Sequence, residues 1–207
     1  MAKLIQLPDA GDSEIIAQQA FEAEVAARFG LVPNFFCSAP DAPYVLRELW
    51  QFAKAAYLDT PIPSLFKERL FVYLSRFCEV RYCVTRHCGF LLGLGRSAGD
   101  PDAQAMTVSQ VVRLLRRPGP DEETFDAALS RLQALAEAMD WPSAETSNDD
   151  DLFTSATVLF LQPARAERAK RALRTALGGE KFEAIRGPSN LYPVGTLLDI
   201  DAPGTRD

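Results

Sequence analysis

Residues 65–94 have the sequence LFKERLFVYLSRFCEVRYCVTRHCGFLLGL, and this stretch decides the fold. Between residues 65 and 77 apolar side chains recur at helical spacing on nearly every side, which is typical of a buried helix. A second helix is predicted over residues 82–94, after a connection of only a few residues. Because helices joined by so short a connection pack antiparallel, we predict a helical hairpin.

The remainder of the chain also has a helical pattern. We predict further helices over residues 13–29, 44–58, 102–116, 122–139, 151–161 and 164–177. Proline and glycine clusters separate them, and no segment alternates apolar and polar residues as a half-buried strand does. The predicted fold class is therefore all-α. A chain of 207 residues can bury a sizeable core, and we expect residues 1–207 to form a single domain.

Composition and charge exclude several classes of function. The net charge is −6, so the molecule as a whole repels polyanions and a nucleic-acid partner is not expected. No apolar run approaches the roughly 20 residues of a membrane-spanning helix, and residues 1–16 contain no apolar centre of a signal peptide. Four cysteines are too few for a disulfide scaffold in a chain of this size. We therefore expect reduced thiols, no membrane association and a cytoplasmic location.

The candidate chemistry lies around the only histidine, His87. On a helix, Cys83 and His87 lie about 40° apart and one turn from each other, so their side chains can cooperate. Cys78 and Cys88 lie about 140° from Cys83, and one helix cannot bring all four side chains onto a tetrahedron. We therefore expect no metal site, and the sequence indicates no cofactor. A redox Cys-x-x-Cys pair is also missing, because Val80 stands three residues before Cys83.

The remaining pair is a thiol beside an imidazole, near a helix N-terminus. Residues 65–96 carry six basic and two acidic residues, so the pair lies in a cationic part of an acidic chain. Each of these influences favours the thiolate, which attacks peroxides and other electrophiles. The alternative is that Cys83 is a buried core residue, because cysteine is among the most buried residue types.

The segment from Phe66-Lys67-Glu68-Arg69 through Arg81-Tyr82-Cys83-Val84-Thr85-Arg86-His87 to Gly93 resembles the alkylhydroperoxidase D-like, or carboxymuconolactone decarboxylase, family. The family signature is a glutamate, a Cys-x-x-Cys about twelve residues later, and a histidine four residues after the second cysteine. Here Glu68 stands 15 residues before Cys83 and 19 before His87. The resemblance covers residues 30–99 and implies an alkylhydroperoxidase D-like helical bundle.

The resemblance also implies roles for individual residues. Cys83 matches the cysteine that attacks peroxide, and Glu68 and His87 match members of its proton relay, whereas Tyr82 stands where some members have a second relay histidine. Val80 occupies the position of the resolving cysteine, so the family's internal disulfide cannot form there. The implied function is a thiol-dependent peroxidase-like oxidoreductase with catalytic residues Cys83, His87 and Glu68.

Two alternatives stay open at this point. The decarboxylase branch has a similar helical pocket without a redox cysteine, which implies lyase chemistry with Glu68 and His87 as acid and base. Similar segments also occur in input regions of bacterial signalling proteins, which implies a sensing module without turnover. For the peroxidase we expect three partners: a hydroperoxide or other small electrophile, an external thiol reductant, and further copies of the chain in a homo-oligomer. We expect the pocket between the Glu68 helix and the Cys83/His87 helix.

Overall fold

The protein is described by a computed structural model over residues 12–37, 42–77 and 79–197, of which residues 12–16 and 186–197 are described by their backbone alone. The described part is helical and contains no strand, which confirms the all-α prediction. Its helices are α1 (Asp12–Phe29), α2 (Pro43–Ala53), α3 (Ser64–Phe77), α4 (Arg81–Leu91), α5 (Val108–Arg116), α6 (Glu122–Gln133), α7 (Ser147–Leu161) and α8 (Ala166–Leu197). Short 3₁₀ turns occur at Asn34–Cys37, Ser97–Gly99 and Pro163–Arg165.

Several predicted helix boundaries were wrong, including the end of α4, which lies at Leu91 and not at residue 94. Helix α5 begins six residues later than predicted, because Thr107 and Gln110 form a capping box whose side chains bond each other's backbone N–H groups. Helix α6 ends at Gln133, six residues early. The chain beyond it runs along α8 instead, where the Met139 N–H donates to the Ala176 carbonyl at 2.7 Å.

The start of α7 differs from the prediction, whereas the predicted break at the end of residues 164–177 is present in α8. Helix α7 begins four residues early because Thr146 acts as its N-cap and accepts from the Asp149 N–H. Helix α8 is broken at Gly178, whose backbone has φ 77°, so the predicted end at this glycine is confirmed. Beyond the break the chain is again helical to Leu197, which the proline-punctuated sequence did not indicate.

The hydrophobic core has two clusters with the α3–α4 hairpin between them. The first, called the N-terminal cluster below, consists of Phe21, Val25, Phe29, Phe36, Leu46, Trp50, Tyr57, Leu58, Phe90 and Ala98. The second, the C-terminal cluster, is formed by α3 together with α5 to α8. In α4, Phe90 belongs to the first cluster and Leu91 to the second, and Phe71 of α3 packs against the first. The predicted hairpin therefore lies at the centre of the molecule.

Three consecutive charged residues are buried in the central helix α3, and each faces a different neighbour. Lys67 is 2% exposed, Glu68 is fully buried and Arg69 is 7% exposed. Successive helical residues diverge by about 100°, so the three side chains point in different directions. Lys67 reaches the end of α2, Glu68 reaches α4, and Arg69 binds Asp149 of α7 at 2.9 Å. These pairings satisfy charges that would be costly to bury alone.

Helix α2 continues into one π-helical turn, Lys54–Leu58, which has one more residue than an α-turn. The Asp59 N–H donates to the Lys54 carbonyl at 2.9 Å and closes the turn. Within the described ranges no helix combines the length and the apolarity needed to cross a lipid bilayer.

Candidate functional site

A carboxylate and an imidazole meet between α3 and α4. Glu68 Oε1 lies 2.5 Å from His87 Nδ1, and the Glu68 side chain is fully buried. A carboxylate oxygen accepts, so Nδ1 carries the proton and Nε2 is left as the ring nitrogen with a lone pair. Glu68 therefore fixes both the orientation and the tautomer of His87.

The other carboxylate oxygen has two donors of its own. The Tyr57 hydroxyl donates to Glu68 Oε2 at 2.7 Å, and the Ala98 backbone N–H donates to the same oxygen at 2.7 Å. Burial and the neighbouring Glu68 charge raise the pKa of the Tyr57 hydroxyl well above its usual value, so it stays a donor. Ala98 has φ 46°, in the left-handed region that favours glycine, and this backbone turn directs its N–H at the carboxylate. Three donors thus hold one buried carboxylate.

Lys67 holds the backbone of the π turn that carries Tyr57. Its ammonium group donates to the carbonyls of Tyr57 at 2.7 Å and Leu58 at 3.0 Å. Burial lowers the pKa of Lys67 to about 8, although the neighbouring Glu68 charge partly offsets this effect. Adjacent residues of α3 therefore contact Tyr57 at two points, Lys67 at its carbonyl and Glu68 at its hydroxyl.

Aromatic rings surround the imidazole of His87. The Phe71 ring lies 4.1 Å from it between centroids at an interplanar angle of 33°, and Tyr57 and Phe90 approach edge-on. The His87 side chain is 15% exposed. The ring is thus held by packing on several sides and by Glu68 at Nδ1, and it lines a cavity.

This cavity has a volume of about 110 Å³ and mostly apolar walls. Helix α4 contributes Tyr82, Cys83, Arg86, His87 and Phe90. The remaining walls come from α1, the chain after it, α2 with its π turn, and Phe71. Glu68 does not line the cavity but lies behind His87. The cavity is therefore walled by α4 and the N-terminal cluster, whereas we expected it between the Glu68 helix and the Cys83/His87 helix.

The three cysteines that the structure describes have different environments. Cys83 is partly buried and lines the cavity with His87, one turn away on α4. Cys88 packs against the C-terminal cluster. Its burial and the nearby charge of Glu68 both raise the pKa of its thiol. Cys37 is exposed, and Cys78 lies outside the described residues. Cys83 and Cys88 are both free cysteines.

Two further residues of the resemblance lie near the start of α4. Val80 is the N-cap residue of α4, and its side chain accepts no capping hydrogen bond. Tyr82 lines the cavity, and its hydroxyl accepts from the Phe35 N–H at 3.0 Å. Tyr82 therefore fastens the chain after α1 to α4.

No group of three or more potential metal ligands occurs in the described part of the chain. A larger groove of about 930 Å³ lies between α5 and the start of α7, and none of Glu68, Cys83 and His87 lines it. Two of its charged pairs already satisfy each other, Arg69 with Asp149 and Arg117 with Asp150. The smaller aromatic cavity is therefore the better candidate site.

The sequence missed two parts of the site. Tyr57 is a buried member of the N-terminal cluster, as its aromatic character favours, but no sequence pattern indicated that its ring also lines the cavity or that its hydroxyl binds Glu68. The Ala98 N–H gave no sequence signal, because a backbone donor depends on conformation and not on residue type. The tyrosine could have been found only by anticipating the π turn.

Comparison of the chain with protein-family models, curated proteins and solved structures gives no match.

Proposed function

We propose that this protein is a thiol-dependent peroxidase of the alkylhydroperoxidase D-like type. The observation that carries the proposal is the 2.5 Å contact between Glu68 Oε1 and His87 Nδ1, behind a cavity that His87 and Cys83 both line. This arrangement gives a base with a fixed tautomer beside a thiol, which is what activation of a cysteine nucleophile requires. Glu68 acts through His87 and is a positioning residue.

The first half of the proposed cycle consumes the hydroperoxide. His87 Nε2 takes the proton of the Cys83 thiol, and the thiolate sulfur attacks the terminal oxygen of R–O–O–H. The S–O bond forms as the O–O bond breaks, and the leaving alkoxide takes the proton from His87. Cys83 ends as a sulfenic acid, oxidised by two electrons, and the hydroperoxide is reduced to the alcohol ROH.

The second half needs an external thiol, because Val80 provides no sulfur three residues before Cys83. One thiol molecule condenses with the sulfenic acid, releasing water and forming a mixed disulfide with Cys83. A second thiol molecule attacks that disulfide, restores the Cys83 thiol and leaves as an oxidised disulfide. Two thiols are thus consumed for each hydroperoxide.

The test is consumption of tert-butyl hydroperoxide with dithiothreitol, measured above the rate without protein. Cys83→Ser is expected to abolish the activity and Cys37→Ser, which changes an exposed thiol outside the site, to retain it. Dimedone is expected to label Cys83 after peroxide treatment, since it traps sulfenic acids. Equal activity of wild type and Cys83→Ser, or no activity above background, would contradict the proposal.

A second candidate, a sensing module without turnover, is favoured by Val80 at the position of the resolving cysteine. It predicts that a small molecule raises the melting temperature while no peroxide is consumed. The lyase alternative predicts activity that survives Cys83→Ala and is lost in His87→Ala. Peroxide consumption, the melting temperature, and the activities of Cys83→Ala and His87→Ala together therefore separate all three functions.

We also propose a homo-oligomer in a reducing compartment such as the cytoplasm. Several large apolar side chains are exposed to solvent. Among them, the exposed fraction is 64% for Tyr44, 66% for Leu94 and 67% for Val108. Contact between copies would cover such side chains. Light scattering after size-exclusion chromatography tests this proposal, and a monomeric mass would contradict it.

A further inference from the structure

Arg86 brings an unbalanced cation to the wall of the cavity. It stands three residues after Cys83 and directly before His87 on α4, and it lines the same cavity. Its Nε atom is buried and has no hydrogen-bond partner among the described residues. A buried N–H without an acceptor is costly, so this N–H is free to donate to a molecule bound in the cavity.

The protein supplies no acidic partner for this guanidinium in the part of the chain that is described. Arg69 and Arg117, by contrast, each pair with an aspartate of α7. The contacts of Arg86 are with aromatic side chains: its guanidinium lies 5.9 Å from the Phe90 ring centroid, and it forms a hydrogen bond with the Tyr82 hydroxyl that does not involve the unpartnered Nε. Burial nevertheless raises the pKa of Tyr82, so this hydroxyl stays neutral and does not balance the charge.

The rest of the cavity wall is apolar and the volume is small. Phe29, Phe36, Phe71 and Phe90 contribute aromatic surface, and the volume is about 110 Å³. A dry protein cavity of ~150 Å³ accepts benzene, with six non-hydrogen atoms. The cavity therefore suits a ligand of about that size or less, or one end of a longer ligand.

From the unpartnered Arg86 Nε–H and the small aromatic cavity beside it, we propose that the site binds small monocarboxylates. The carboxylate accepts from Nε and from a second guanidinium N–H, because two parallel donors match its two oxygens. The short apolar tail lies among the phenylalanine rings, beside the Cys83 sulfur. The inference rests on the proposed function only in calling this ligand a substrate, a hydroperoxide that bears a carboxylate; binding itself is independent of turnover.

Two alkylating reagents of almost equal size test the proposal at Cys83. Iodoacetate carries the carboxylate and iodoacetamide carries a neutral amide in its place. Trypsin cuts after Arg81 and Arg86, so Cys83 lies in a peptide without any other cysteine and its alkylation is followed by mass spectrometry. The ratio of the iodoacetate rate to the iodoacetamide rate is expected to be at least tenfold higher at Cys83 than at Cys37, the internal control.

The variants Arg86→Gln and Arg86→Lys assign the effect to the guanidinium. Arg86→Gln is expected to lower the rate ratio at Cys83 to that of Cys37, with the modified residue identified from fragment ions. Arg86→Lys keeps the positive charge but cannot donate two parallel hydrogen bonds to one carboxylate. It is therefore expected to retain part of the preference for iodoacetate over iodoacetamide. A ratio at Cys83 that stays within twofold of wild type in Arg86→Gln would overturn the proposal.

Saturation distinguishes binding from general attraction of anions. The iodoacetate rate is expected to saturate with reagent concentration, and butyrate is expected to protect Cys83 while butyramide does not. A linear rate with no protection would overturn the proposal. These measurements use no peroxide, so they test carboxylate binding independently of peroxidase activity. Carboxylate binding without peroxidase activity would refute only the proposed function. Peroxidase activity without carboxylate binding would refute only the present inference.

Discussion

Tyr57 donates its hydroxyl hydrogen to Glu68 Oε2 at 2.7 Å, on the carboxylate oxygen opposite the one that holds His87. The tyrosine comes from the π turn after α2 and the glutamate from α3, so two elements of the fold fix the position of the imidazole through one carboxylate. Tyr57→Phe removes this donor and leaves the ring in place.

Tyr57→Phe is expected to lower the free energy of unfolding by about 1.5–3 kcal/mol, because a hydrogen bond to a buried charged group is lost. Urea denaturation measures this change. Peroxidase kcat is expected to fall while the thiol dependence stays the same, since Tyr57 acts through Glu68. Tyr44→Phe changes an exposed tyrosine and is expected to leave both quantities unchanged; an equal loss in both variants would speak against the role of Tyr57.

Glu68→Gln replaces the carboxylate with an amide of similar shape. We expect a loss of peroxidase activity of about 10²-fold, the lower end of the contribution of a general base. Because His87 is the only histidine, its ring nitrogens give a single set of ¹⁵N NMR signals, and the tautomer is expected to change from Nδ1–H to a mixture. Glu24→Gln, at an exposed ion pair with Lys54, is the control. An unchanged tautomer would show that Glu68 does not set it.

Lys67 makes stability depend on pH in the alkaline range. The pKa of Lys67 is about 8 in the folded protein, whereas that of an unperturbed lysine, as in the unfolded chain, is 10.5. Between these two pH values the unfolded chain therefore binds more protons than the folded protein. The free energy of unfolding therefore rises with pH in this window, by up to about 1.4 kcal/mol per pH unit from this group. We expect this slope in the difference between the unfolding free energies of wild type and Lys67→Met, measured by denaturation between pH 7.5 and 10. Parallel pH curves would rule out the shift.

Two glycines near the end of α4 are expected to respond in opposite ways to alanine. At Gly95, with φ +123°, a Cβ would lie 2.6 Å from Phe90 Cε1. Gly95→Ala is expected to cost more than about 2 kcal/mol and to displace the Phe90 ring from the cavity wall. At the helical Gly89 a Cβ meets nothing nearer than 3.8 Å, so Gly89→Ala is expected to stabilise by about 0.5–1 kcal/mol. Thermal unfolding of both variants checks the sign of each change.

Val80→Cys supplies the sulfur that is missing three residues before Cys83. Peroxide is then expected to yield an internal disulfide instead of a sulfenic acid, so dimedone labelling of Cys83 falls and two thiols per chain are lost. Thiol titration and the mass of the unreduced peptide measure this. Undiminished dimedone labelling would mean that the two positions cannot bond in the folded protein. Val80→Ala, which adds no sulfur, is the matched control.

The all-α class and the central hairpin could be predicted from sequence because helical periodicity follows from which face of a segment is buried. The relation of Glu68 to His87 was implied by the family resemblance, and the structure places the two side chains in contact across the α3–α4 hairpin. The wheel geometry that separated Cys88 from Cys83 also holds, because one residue packs in the core and the other lines the cavity.

The features of the site that could not be predicted depend on long-range contacts, which local sequence patterns do not encode. Tyr57 reaches Glu68 only because α2 ends in a π turn, and Ala98 donates only because its backbone adopts a left-handed conformation. Arg86 gave no signal beyond local charge, since the sequence does not show whether each N–H of an arginine finds an acceptor. The start of α5 depended on the capping box of Thr107, which competed with a longer helical pattern.

The π turn Lys54–Leu58 determines where the hydroxyl and the carbonyl of Tyr57 lie. Each residue of a π turn rotates the chain by less than the roughly 100° of an α-helix, so the same residues wound as an ordinary α-helix would point Tyr57 in another direction. Tyr57 would then lose Glu68, and the two carbonyls would leave Lys67, without any change in the residues that hold the imidazole. The site thus depends on the winding of one backbone turn as much as on the identity of its side chains.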